Sequence, residues 1–121
     1  MSSYRYMISA LLKLGFNQSD AEVYICLAIK GKQRVNDLTN IFGWHKRRIY
    51  FSLSRLKTMG IVFKSSERPA TFSALSLENL LNLFTEKRLE QAYAAQLKRS
   101  EVLSYWQSLT TSKNPNPNRQ H

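Results

Sequence analysis

Lys46, Arg47 and Arg48 stand in a row at the start of a segment whose apolar residues Ile49, Leu53 and Leu56 recur at helical spacing. Turning such a helix by about 100° per residue places Arg47, Arg48, Phe51, Ser54, Arg55 and Thr58 away from the apolar line. That surface of guanidinium, hydroxyl and one aromatic ring suits a polyanion, because arginine forks grip phosphate and read guanine edges. A solvated helix face is the plainer reading of any charge run. Position argues for the first: three cations in the first turn oppose the helix dipole, each at a cost of roughly 0.3 to 1 kcal/mol. No acid lies within helical reach to neutralise them, so phosphates arriving there would relieve the cost. Phe51 suits a thymine methyl, or packing on a hairpin or second subunit.

Between Asp37 and Glu67 the chain has no acidic residue, yet it carries six cations besides His45: Lys46, Arg47, Arg48, Arg55, Lys57 and Lys64. Net charge is +10 overall, with +8 in residues 1–64 and +2 in 65–121, so the anion is expected to meet the first part. Lys64 and Arg68 fall at the base and tip of an expected hairpin, placed for the nucleic-acid backbone or minor groove. Trp44 is expected to plug the core between two helices. Tyr24 and Tyr50 are expected in the core with hydroxyls at its rim, where Tyr50 would reach a phosphate.

Catalysis finds no support. The two aspartates, Asp20 and Asp37, each stand near a helix start where capping explains them, and no carboxylate cluster is set to hold magnesium. His45 has no serine and acid partners and is read as a helix-start residue. One cysteine and two histidines offer no zinc spacing and no internal disulfide, so the expectation is no metal, no cofactor and no enzyme. The longest uninterrupted apolar run is Val23 to Ile29, which supports neither a membrane span nor a signal peptide. The cytoplasm, in association with the nucleoid, is the expected location.

The elements that must position these residues follow from periodicity. Tyr4, Ile8, Leu11 and Leu12 form one helix face that Gly15 ends. A second, central helix starts at Asn17 or Ser19, with Ser19 and Glu22 or Asn17 and Asp20 as the capping pair, and carries Ala21, Tyr24, Ile25, Ala28 and Ile29. Asn36 caps a short third helix that stops at Gly43, and the basic fourth helix runs from near His45 to Met59. After Gly60 the pattern alternates, giving strands at 61–65 and 71–75 around Ser66-Glu67-Arg68-Pro69. Ser76 then caps a long helix whose apolar positions Leu77, Leu81, Phe84, Ala95, Val102, Tyr105 and Leu109 keep a seven-residue repeat, interrupted by Arg88, Gln91 and Lys98. The expected fold is mainly α with a small β-hairpin: a winged helix-turn-helix at 1–75, a long dimerisation helix at 76–110, and a disordered tail at 111–121 rich in Asn and Pro.

From about Leu11 to Leu83 the order of signals resembles the DNA-binding domain of the archaeal TrmB-like transcriptional regulators. The pieces are Leu14-Gly15-Phe16-Asn17 with Ala21-Glu22-Val23-Tyr24, then Leu38-Thr39-Asn40-Ile41-Phe42-Gly43, Arg48-Ile49-Tyr50 with Leu53 and Leu56, Met59-Gly60-Ile61-Val62, and Arg68-Pro69-Ala70-Thr71-Phe72. The resemblance implies a winged helix that binds double-stranded DNA, with the helix from Lys46 in the major groove. The first expectation is therefore a homodimeric transcriptional regulator without a sugar-sensing domain or an evident small-molecule effector. The alternative is an architectural chromatin protein that coats DNA with little sequence preference. An adaptor that binds acidic proteins is a third.

Overall fold

Asn17, not Ser19, starts the central helix: its side-chain oxygen accepts the Asp20 backbone N–H at 2.8 Å, which supplies one of the donors a helix start leaves unpaired. The structure, a computed structural model, describes residues 2–111. In chain order it has α1 (Ser3–Lys13), α2 (Gln18–Lys30), β1 (Gln33–Arg34), α3 (Val35–Phe42), α4 (Lys46–Thr58), β2 (Val62–Lys64), β3 (Thr71–Ala74) and α5 (Leu77–Thr110). Residues divide into two compact units, Met1–Asn82 and Leu83–His121. The first thus extends past the boundary at residue 75 expected from the sequence and takes in the opening turn of α5. The tail expected at 111–121 lies, after Thr111, outside the described residues.

Within the first unit α2 is buried on nearly every side, through Asp20, Ala21, Val23, Tyr24, Ile25, Cys26 and Leu27. The stripe expected from periodicity is corrected at its end, where Ala28 is exposed and Ile29 is 77% exposed. α1 contributes Ile8 and Leu11, while Tyr4 and Leu12 of the expected face stay largely in solvent. Leu38 of α3, Ile49, Leu53 and Leu56 of α4, and Ile61 and Val62 close the core. Leu80, absent from the expected heptad, is the fully buried anchor of α5, whose N-terminal turn Ser76 caps by accepting the Asn79 N–H at 3.2 Å.

Turn chemistry sets the directions of these helices. Gly15 at φ +107° lets Phe16 N–H return to Leu11 O, and Gly60 at φ +79° lets Ile61 N–H return to Leu56 O, so each helix ends with its next residue folded back into the core. Helix α3 begins after Arg34, two residues earlier than an Asn36 cap implies, because the Asp37 carboxylate accepts the Arg34 N–H at 2.9 Å. That start leaves Gln33 and Arg34 extended, and they pair with Phe72 and Thr71 as a third strand. The antiparallel sheet has the order β1-β3-β2, with Lys64 opposite Phe72. Two residues are too few to show alternation, so β1 left no sequence signal.

The Tyr24 hydroxyl donates to Leu75 O at 2.8 Å, tying the central helix to the end of the hairpin. Burial pushes this hydroxyl above its ordinary value of 10.0. The neutral form therefore favours the fold; that stability is whole below pH 10 and is lost as pH rises through the folded-state value. Tyr24→Phe is expected to cost about 1 kcal/mol in urea unfolding at pH 7 and to flatten the loss of stability above pH 10.

Candidate nucleic-acid interface

Helix α4 buries Ile49, Ser52, Leu53 and Leu56, the i, i+3, i+4, i+7 pattern of a half-buried helix. Opposite that face, at the same spacing, lies the exposed line Arg47, Phe51, Ser54 and Thr58. Lys46, Tyr50 and Lys57 occupy one exposed flank, and Arg48 and Arg55 occupy the other. The helix opens after His45, and no side chain caps it.

On the second flank both arginines have partners within the protein. Arg55, its side chain 48% exposed, pairs with α2: its Nε and Nη2 donate to the two carboxylate oxygens of Asp20, each at 2.9 Å. Asp20 is buried, so its role is this pair and not the capping its position suggested. The hydrogen bonds to Asp20 hold the Arg55 guanidinium above its ordinary pKa, against the opposing effect of desolvation. Arg48 lies with its guanidinium carbon 3.6 Å from the centre of the Trp44 ring, and its Nε and Nη2 donate to Ser19 Oγ at 3.2 and 3.0 Å. Two consecutive residues of α2, Ser19 and Asp20, thus hold two arginines one heptad apart on α4. No hydrophobic pattern reports such a pair, since each residue has a sufficient local explanation.

Trp44 is half-buried and stacks on Phe42 with ring centres 4.5 Å apart, so it is a platform under Arg48 and not the core plug expected. Tyr50 is 52% exposed, in contrast to its expected place in the core, because residue 50 falls on the solvent side of Ile49 and Leu53. Phe51 is 55% exposed. The Arg47 guanidinium lies 6.0 Å from the centre of the Phe51 ring, at the outer limit of a cation–π contact. Together with His45, Lys46 and Arg48 these two residues line an open cleft of about 630 Å³.

Beside α4, the hairpin carries exposed Lys64 at the end of β2, next to the turn, and exposed Arg68 at its tip. Ser65, which the sequence did not single out, organises the turn: its hydroxyl accepts the N–H groups of Thr71 at 2.9 Å and Glu67 at 3.3 Å, and its own N–H bonds Thr71 O at 2.8 Å. Thr71 Oγ1 donates to Glu67 Oε1 at 3.1 Å, so the tip's one carboxylate is engaged by the neighbouring strand. Among the described residues no group of His, Cys, Asp and Glu is placed to hold a metal, and no helix is long and apolar enough to cross a membrane.

Three helices, a basic α4 after a glycine turn, and a three-stranded sheet ending in a wing define a winged helix-turn-helix. The family is that of the sugar-specific transcriptional regulator TrmB, whose model matches residues 11–78; the chain belongs to it. No curated protein matches the chain by sequence. Among solved structures it is similar to TrmBL2, an archaeal chromatin protein described as showing a novel mode of DNA binding, with TM-score 0.72 and 20% identity over 94% of this chain and 47% of that one. It is also similar to the transcriptional regulator Tm0710 from Thermotoga maritima, with TM-score 0.56 and 17% identity over 88% of this chain and 83% of that one. These likenesses are of fold, and the chain spans about half the length of the chromatin protein.

Arg55→Ala leaves the Asp20 carboxylate buried without its partner. It is expected to destabilise the fold by about 1 to 3 kcal/mol, with Arg55→Lys, which keeps the charge but not the paired geometry, losing roughly half as much. Thermal and urea unfolding of both variants at pH 7 measure this; an unchanged Arg55→Ala midpoint refutes a structural role for the pair.

Proposed function

We propose that this chain binds double-stranded DNA through α4 and the wing, as a homodimeric transcriptional regulator. The observation that carries the reading is the joint exposure of Lys46, Arg47, Lys64 and Arg68 within one compact unit. Of the nearby acids, Asp20 is taken up by Arg55, Asp37 accepts a backbone N–H at the start of α3, and Glu67 accepts from Thr71. Membership of a family of transcriptional regulators supports the same reading. In it Lys46, Lys64, Arg68 and the Tyr50 hydroxyl meet phosphates, while Arg47, Phe51, Ser54 and Thr58 face the groove. Arg48 and Arg55, expected in the groove, act instead by setting the rotation of α4.

That reassignment also favours a second reading, a chromatin-type protein that coats DNA. With two of its arginines held by α2, the outward line of α4 keeps one guanidinium for guanine edges, and the remaining cations are placed for the backbone. Competition among random genomic fragments at physiological salt separates the two: one enriched motif means a regulator, flat coverage a coater. Either way, with about four to six phosphates neutralised per subunit, affinity is expected to fall with salt at a log-log slope of roughly −7 to −11 for a dimer. Alanine at Lys64 or Arg68 is expected to reduce that slope by about one each. A slope near zero refutes DNA binding as the main function.

The second unit supports the dimer. From Glu86 to Thr111 every residue is exposed, including Leu89, Tyr93, Leu97, Val102, Leu103, Tyr105, Trp106 and Leu109. Bare apolar side chains along a helix about 50 Å long call for a partner of the same periodicity, and a second copy meets that need through Ala95, Val102, Tyr105 and Leu109. Sedimentation at micromolar concentration is expected to give a dimer, and Val102→Asp with Leu109→Asp a monomer whose first unit remains folded. A monomeric wild type with α5 intact refutes the pairing.

A further inference from the structure

The clamp on one flank of α4 changes what its outward line consists of. Arg48 is held on Trp44 and Ser19, and Arg55 on Asp20. What remains furthest from the core is Arg47, the Phe51 ring, and the Ser54 and Thr58 hydroxyls. Phe51 is the one apolar group of that line, more than half exposed, on a carbon-rich open cleft with Arg47 at its edge. A ring left bare among cations gains nothing from water, and the charges around it select a polyanion as its occupant. On the major-groove face of duplex DNA the apolar group on offer is the C5 methyl of thymine.

We propose that the cleft at Phe51 receives a pyrimidine C5 methyl group in the major groove, so that base preference comes from this ring more than from arginine forks. Ser54 and Thr58 accommodate either base pair, since hydroxyls both donate and accept. Arg47 sits at the rim, where its charge meets the adjacent phosphate or a guanine. The inference rests on the reading that α4 meets duplex DNA, and it adds the chemical group that is read.

The test changes the methyl and nothing else in the hydrogen-bonding code. Fluorescence anisotropy of the full chain compares alternating dA-dT duplexes of about 30 base pairs with dA-dU duplexes, and dG-dC duplexes with their 5-methylcytosine forms. Burying one methyl group is worth about fourfold in affinity, and two subunits about 15-fold. The wild type is therefore expected to bind the methylated member of each pair about 4- to 15-fold more tightly, at equal salt slopes. Phe51→Ala is expected to bring both ratios below twofold without changing the slope, and Phe51→Gln to do the same, which guards against a folding defect in either variant. Equal affinity for methylated and unmethylated duplexes in the wild type overturns the proposal while leaving DNA binding intact. A methyl preference that survives in both Phe51 variants also overturns it, by placing the methyl elsewhere. Absence of binding to every duplex at low salt overturns the DNA reading itself.

Discussion

A carboxylate buried in an apolar core must be paired, and in this protein Asp20 meets that requirement with Arg55 alone among the cations of α4. The paired geometry, two oxygens facing two nitrogens, is directional, so it adds an orienting contact on α4 to the packing of Ile49, Leu53 and Leu56. Ser19 and Arg48 repeat the constraint one residue earlier on α2 and one heptad earlier on α4. The exposed line of α4 follows from these contacts.

The wing depends on a smaller but similar device. One hydroxyl, Ser65, accepts two N–H groups that the turn would otherwise leave open, and it does so just past β2, opposite Thr71. Tyr24 joins the far end of the hairpin to α2. Both parts of the candidate interface, α4 and the wing, are therefore referred to one central helix, and Asn17, which starts that helix, sits three residues before the carboxylate that orients α4.

The helices and the hairpin were legible because their information is local: apolar period, a capping side chain, a glycine where φ is positive. Gly43 and Gly60 mark their helix ends in the sequence as they do in the fold. The basic run at residues 46–48 was legible as charge, but its division into an outward Arg47 and a held Arg48 was not. That division depends on Ser19, 29 residues away in the chain, and the Arg55 pair depends on Asp20, 35 away. Tyr50 and Trp44 were misplaced for a related reason: an aromatic residue beside the core line reads as core until the neighbouring helices are in position. Leu80 falls outside the heptad of Leu77 and Leu81, and its burial depends on the packing of the first unit against that side of α5.

The segregation of roles along α4 bears on how such a protein diversifies. Asp20, Arg55, Ser19 and Arg48 carry the orientation of the helix, and positions 47, 51, 54 and 58 carry none of it. Substitutions on that outward line are free of the core, so a lineage can drift through many surface chemistries there while every intermediate still folds. The same segregation makes the scaffold forgiving to randomise: a library confined to those four positions samples ligand preference with stability held nearly constant.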